Sequence, residues 1–581
     1  MSAQSAIFNP SQTTSAATGD GFSVPRLTTT GRLAIVFGTG DSGMMVYDTT
    51  LNNLFIWNGT AWTSVPDSGD STNTQVIFND NGVLVGDAGL IYQKTTQKLT
   101  VSGTVEIWDG PGAGADNVGV GRLALALQTT GASNTAVGLN SGNNLTTGAS
   151  SAFLGKNAGS GVNTGSNNVA VGLDSLSTSG PQVHSGSNNI AVGNSAMFSG
   201  QSITGADNIG IGRDTLRGLS SGSTNVAIGV SALKASTIGT DNVAIGKNAL
   251  LSATSGSQNI AIGFGTLANI VAGNNTIAIG YGSLTNSTAN DNVAVGVNAL
   301  AASTTAIRNI AIGRSSLSGL VIGDANTAIG YQAISGGTGG TNNVAVGYNA
   351  LFSGGAATDS VAIGSNALLN AVGNQNTGVG SSSGSAVTTG IANTYLGAGT
   401  GQGNLTGATN TGIGFQALNS ATVSDLVAVG ANALVLNTTG GGATAVGRSA
   451  LAALLSGGND TALGFNAGRS VTGGDVTAIG SNALGIATNG NGNTAIGSYA
   501  GNTISTGSGN ICIGGSAEPT SGASDNQISI GSTSYYVGTT GGANGYATTA
   551  NAFSTGALPA TCGFWTVVIN GTVRKIAVYA N

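Results

Sequence analysis

The chain has 581 residues, only 7% of them charged, a formal net charge of −6 and no cluster of lysine or arginine, which excludes an electrostatic nucleic-acid binder. Its 99 glycines follow no Gly-X-Y period, so collagen is excluded, and its 40% hydrophobic residues, held in strict register, exclude a disordered low-complexity chain. One histidine and two distant cysteines, Cys512 and Cys562, exclude a disulfide framework and most zinc-site spacings and argue against a Ser-His-Asp arrangement.

The opening residues 1–20 are rich in Ser, Thr, Ala and Gln and read as an arm that orders on a partner. No basic segment followed by an apolar core is present there, so they do not read as a secretory leader. Residues 22–66 change character. Met45-Val46-Tyr47 and Leu54-Phe55-Ile56-Trp57 predict two strands, with turn chemistry between them and a hairpin signal at Asn58-Gly59. Phe55, Trp57 and Trp62 read as the core of this small β-module rather than a ligand site. A connector over 67–112 carries Val76-Ile77-Phe78, then short strands at 89–92, 98–101 and 105–108, and Pro111 marks its border.

From 113 to 533 one phrase keeps returning. It opens on Asn225 and closes on Gly229 as Asn-Val-Ala-Ile-Gly, recurs from Asn242 to Gly246, and recurs as Asn-Ile-Ala-Ile-Gly from Asn259 to Gly263. The closing glycines step by about 17 residues, the mark of a repeat array that buries its core by stacking. Period-two alternation puts the β-branched residues on one face and the central Ala on the other. The expectation is that Val and Ile fill the coil and that the small-residue face packs against other chains. A second apolar phrase, as in Asn248-Ala249-Leu250, predicts a second short strand per coil. Two dozen rungs about 4.8 Å apart give a rod on the order of 115 Å. The opening asparagines fall at one point of the coil and predict a stacked amide ladder. Asp116, Asp207, Asp241 and Asp291 sit at turn positions beside them. The residue after each closing glycine is often large or charged (Lys247, Phe264, Tyr281, Arg314, Tyr331, Tyr348), an outward ridge read as shielding strand edges rather than as weak glycan contacts. His184 falls in a longer coil, after Gly180-Pro181, and reads as an exposed turn residue; Cys512 reads as a buried free thiol.

After 534 aromatic residues become dense again, and 566–579 predicts a hairpin about Asn570-Gly571. Tyr535, Tyr536, Tyr546, Trp565 and Tyr579, with the basic pair Arg574 and Lys575, are the candidate receptor contacts. The alternative for the aromatics is the apolar plug of an oligomeric foot. Glu518 and Asp525 are isolated in sequence, so no paired carboxylates suited to glycoside hydrolysis stand out, and no catalytic, metal or cofactor site is expected.

Two resemblances follow from these motifs. Val24-Pro25-Arg26-Leu27-Thr28-Thr29, Val46-Tyr47-Asp48-Thr49-Thr50 and Trp57-Asn58-Gly59-Thr60-Ala61-Trp62 resemble modules near the start of bacteriophage tail-fibre and tail-associated proteins. The repeat core, Asn-(Val/Ile/Thr)-Ala-(Val/Ile)-Gly followed by Ala/Ser-Leu, resembles the head repeats of YadA-like trimeric adhesins, although the period here is a few residues longer. Together they imply an all-β homotrimeric fibre built on a parallel left-handed β-roll or solenoid, with small β-modules at both ends. Residues 1–66 would form the virion-attachment arm and β-module, 67–112 the shaft entry, 113–533 the shaft and 534–581 the tip. The resemblance implies a virion protein, assembled in the host cytoplasm, that is bound to the phage tail or baseplate at its N-terminus. Its C-terminus would meet a host surface glycan or outer-membrane receptor, with no nucleic acid and no membrane insertion. The alternatives are a bacterial surface adhesin, a capsid or collar fibre, and a tip with glycan-depolymerising activity.

Overall fold

The structure is a computed structural model. It describes residues 24–36, 43–64, 74–80, 83–93, 98–101, 105–108, 116–354, 356–487, 489–531, 539–540, 547–548, 562–569 and 572–579, with the strands inside 74–108 and 539–579 described by their backbone. The chain divides into two compact units, Met1–Thr224 and Asn225–Asn581.

The first unit opens on a four-stranded sheet, β1 (Arg26–Leu27), β2 (Met45–Asp48), β3 (Asn53–Trp57) and β4 (Trp62–Ser64), in that order. The two predicted strands pair antiparallel, and β3 turns into β4 across the Asn58-Gly59 signal, with Trp57 opposite Trp62. Asn58 shapes the turn: its side-chain oxygen accepts from the backbone N–H groups of Thr60 (2.9 Å) and Ala61 (2.8 Å). A single helical turn, α1 (Thr29–Leu33), is capped by Thr28 and brings Arg32 over the sheet. Four further strands, β5 (Thr74–Asp80), β6 (Val83–Gln93), β7 (Lys98–Val101) and β8 (Val105–Trp108), pair antiparallel in sequence. The last of them, β8, pairs with the first coil strand, Val118–Val120, and so covers its free edge.

Both units are then built on one coil. Three-residue strands run from Val118–Val120 to Ile209–Ile211 in the first unit and from Val226–Ile228 to Ile528–Ile530 in the second. Within each unit they pair parallel and in register, Val243 on Ile260, Ala244 on Ala261, Ile245 on Ile262. There is one strand per coil, not two. The Asn-Ala-Leu segment is a chain of left-handed residues instead, with Asn248 at φ 60° and Leu250 at φ 51°. Asn and Asp tolerate that conformation, which explains their placement here and just before the ladder asparagine, as at Asp241 (φ 57°). The turn backbone still finds its partners in the neighbouring coils: Asn248 N–H donates to Val230 C=O (3.0 Å) and Leu250 N–H to Thr266 C=O (3.0 Å).

The closing glycine has two constraints. Gly246 sits at φ +131°, which L side chains rarely adopt, and a Cβ there would lie 2.5 Å from the carbonyl oxygen of Gly263 in the next coil. A side chain at this corner would push the stack apart.

The interior reverses the expected faces. Ala244, Ala249 and Leu250 are fully buried, and the Val and Ile of the strands look outward. Leu from the left-handed turn fills the coil, which leaves room only for Ala on the inner strand face. Two exceptions show how tight the fit is. Phe153 occupies the Ala position, and the neighbouring Leu positions become Gly142 and Gly159, whose added Cβ atoms would strike its ring at 2.7 and 2.4 Å. Tyr395 does the same with Gly384 and Gly401. Volume is conserved across coils, as close packing requires.

Candidate functional site

The outward faces of the coils are the principal candidate surface. In the strand Ile310–Ile312, Ala311 is fully buried while Ile310 and Ile312 are each 39% exposed. The buried centre recurs in every coil strand, and the third residue is Val, Ile or Leu throughout, giving an apolar row along each unit; the first residue is Val or Ile in most coils and Thr in several, as at Thr327 and Thr377. Period-two alternation made this face legible; its direction was not, because nothing local in the phrase says that Leu from the turn claims the interior.

The asparagine ladder lies inside. Asn242 Nδ2 donates to Asn225 Oδ1 (3.0 Å) and to Gly256 C=O (2.8 Å), and its backbone N–H reaches the same Asn225 oxygen (3.1 Å). Asn259 repeats the pattern on Asn242. Every amide is thereby committed to the neighbouring coil, which leaves the ladder no free group for a ligand and makes it structural. Asp460 stands at a ladder position between Ala443 and Val476, where the run of asparagines is interrupted. It is fully buried; Oδ1 accepts from Val476 N–H (2.8 Å) and Oδ2 has no partner among the described residues. Burial pushes its carboxyl up to about 6, against the pull of the Val476 N–H and with help from Asp475.

The ridge after the closing glycines is exposed, as predicted. Phe264 stacks on Tyr281 with centroids 5.4 Å apart and planes 10° from parallel, and Tyr331 stacks on Tyr348 at 5.3 Å and 8°. Lys247 and Arg448 lie over Phe264 and Phe465. Each of these rings gives one face to its neighbour in the adjoining coil, so the ridge packs on itself along the coils.

His184 corrects an expectation: it is buried, not exposed. Its Nδ1 accepts from Ile203 N–H (2.9 Å) and its Nε2 lies 3.3 Å from Ser177 C=O, so the imidazole is neutral with the proton on Nε2. Burial pulls its pKa down to about 4. Cys512 is a buried free thiol on an inner strand position; burial, and secondarily Glu518, pushes it up to about 12.

Near the start of the chain, sequence reasoning missed a buried ion pair. Arg32 Nε meets Asp48 Oδ2 at 2.9 Å, and the guanidinium lies 3.7 Å from the centre of the Phe55 ring. Trp62 Nε1 donates to Arg32 C=O (3.1 Å), and Trp57 packs edge-to-face on Trp62 at 5.7 Å. Desolvation raises the Asp48 carboxyl, but hydrogen bonds from Leu51 N–H, Arg32, Thr29 and Thr50 N–H outweigh it and bring it to about 2. The available signal was an Arg and an Asp in a module of a chain that uses few charges.

Of the tip candidates, Tyr535, Tyr536 and Tyr546 lie outside the described residues. Trp565, Arg574, Lys575 and Tyr579 lie on a hairpin of Cys562–Ile569 and Thr572–Tyr579, with Trp565 opposite Ile576 and Arg574 opposite Val567. Among the described residues no group of three or more His, Cys, Asp or Glu converges as a metal site, and no helix is long and apolar enough to cross a membrane.

Stacked parallel coils with an outward apolar row define a fibrous, structural repeat protein. Residues 4–77 match the family model described as a phage tail like trimerisation region. That match and the β-solenoid together fit a structural phage tail fibre. No curated protein and no solved structure matches the chain.

Proposed function

We propose that this chain is the homotrimeric fibre by which a phage adsorbs to its host. The observation that carries the reading is the outward apolar row of Val, Ile and Leu along the coil strands, in a chain that also carries a trimerisation region at residues 4–77. Three such rows turned toward one another bury what one chain leaves in water. In this reading the N-terminal module fixes the fibre to the tail or baseplate and the coils supply reach and stiffness. The C-terminal segment, with Tyr535, Tyr536, Tyr546, Trp565, Arg574, Lys575 and Tyr579, meets a glycan or outer-membrane receptor. The mechanism is passive: three weak sites on one fibre gain from effective concentration.

Sedimentation equilibrium of the full chain tests the assembly. A mass of about 168 kDa, three chains of 56.0 kDa, agrees with it, and a mass near that of one chain refutes it. Adsorption is tested by competition: added fibre must slow phage attachment to host cells, and no effect at saturating fibre refutes the host-contact role.

A further inference from the structure

We propose that a cleft on the side of the first unit's coils binds carbohydrate, one or two sugar residues of a bacterial surface polysaccharide. The proposal rests on the phage-fibre reading only for the source of the sugar. Coils step by 17 residues from Gly121 to Gly172, then lengthen to 21 and 19 before Gly212. In repeat arrays such insertions map to one face, often the binding face. Here they build the wall of a cleft of about 360 Å³, large enough for a small ligand.

The inserted wall is held rigid. Buried His184 ties the insertion to Ile203, and isolated parallel bridges join Val162 to His184 and Thr178 to Ser199. The wall contributes Phe198, whose ring has the Arg217 guanidinium 5.5 Å from its centre; Arg217 is itself paired with Asp214 at 3.2 Å. The opposite wall is an amide relay: Asn140 Nδ2 donates to Asn157 Oδ1 (3.2 Å), and Asn157 Nδ2 to Asp174 Oδ1 (2.8 Å). Below it the Ser160 and Ser177 hydroxyls meet at 2.7 Å.

Two of the lining amides, Asn140 and Asn143, each keep a buried side-chain oxygen with no partner among the described residues. Unpaired buried acceptors are costly, and a ligand rich in hydroxyl donors relieves them. Amides, hydroxyls, one carboxylate and one aromatic ring suit a sugar, whose hydroxyls both donate and accept and whose C–H face packs on a ring. A phosphate would want free cations, and Arg217 is already paired. A divalent cation would find a single carboxylate.

The test is binding of the full chain to immobilised lipopolysaccharide-core, O-antigen and capsular oligosaccharides, for the natural sequence, Asn143→Ala, Phe198→Ala and, as a control at an exposed residue outside the cleft, Ser221→Ala. The expected result is at least tenfold weaker binding for the two cleft variants and retained binding for the control. Asn143→Ala is expected to melt no lower than the natural protein, because it removes an unpaired acceptor; this separates lost binding from lost folding. Binding unchanged in both cleft variants, or calcium binding at the cleft with no oligosaccharide bound, overturns the proposal. The adsorption competition above is scored separately, so failure of the cleft is distinguishable from failure of the fibre reading.

Discussion

Replacing Ile310 and Ile312 together with threonine removes apolar surface from the outward face and leaves the coil interior intact. Threonine keeps the β-branch, so strand preference changes little, and threonine already holds the first of these positions in several coils, as at Thr327 and Thr377. Each isoleucine is 39% exposed. Full burial of such a side chain contributes about 1.5–3 kcal/mol, so covering the remaining two-fifths contributes roughly 0.6–1.2 kcal/mol each. The pair therefore accounts for about 1–2 kcal/mol per chain and about 4–7 kcal/mol per trimer. Many coils share the interface, so one altered coil will not dissociate the fibre; the effect is local opening. Hydrogen exchange of backbone amides at 293–329 is the assay, and a rise of roughly five- to thirtyfold is expected, at about 1.4 kcal/mol per tenfold. Unchanged exchange at these amides in the assembled protein would refute the reasoning, because it would mean that the face is solvated in the natural fibre.

Asp460 has a folded pKa of about 6 against 3.8 for the ordinary group, so its coil is most stable at low pH and loses that stability as pH rises through about 6. Asp460→Asn replaces the buried carboxyl with a neutral amide; it should raise stability at pH 7.5 by about 2–3 kcal/mol and flatten the profile between pH 4 and 7, read by urea midpoints. His184 behaves oppositely: its folded pKa of about 4 lies below 6.5, so stability is complete above 6.5 and falls by about 3 kcal/mol toward pH 4. His184→Asn should remove that acid slope, and a slope that persists would assign it to another group. Tyr395→Ala opens a cavity expected to cost about 3–5 kcal/mol, and adding Gly384→Leu and Gly401→Leu should recover most of it, since those glycines already hold the φ of the leucines they replace. Failure of the triple variant to melt above Tyr395→Ala would refute volume exchange between coils. Gly246→Ala should lower the melting temperature more than Ala substitution at exposed Ser221, because its Cβ meets the next coil's backbone.

The repeat, its parallel strands and the asparagine ladder were legible because each depends on a local phrase repeated at a fixed step. The hairpin at Asn58-Gly59 and the antiparallel pairing of Cys562–Ile569 with Thr572–Tyr579 were legible for the same reason: turn chemistry is local. The assignment of faces was not. Whether Ala or Val points inward depends on what the rest of the coil brings to the interior, and Leu250 arrives there through a left-handed backbone that leucine does not advertise. His184 was misread because a lone histidine beside Gly180-Pro181 looks like a turn, whereas its two ring nitrogens serve Ile203 and Ser177 in adjoining segments. Arg32 and Asp48 were missed because their pairing spans 16 residues and rests on the fold of the β-module. The cleft lined by Asn140 and Phe198 joins residues from several coils, and its only sequence trace was the break in period after Gly172.

The central claim, a phage fibre fixed to the tail through its N-terminal module, is tested most directly by electron microscopy of virions labelled with antibody to residues 1–66. The account predicts label at the root of the tail fibres. Label on the capsid, or on bacterial surfaces with none on particles, would contradict it.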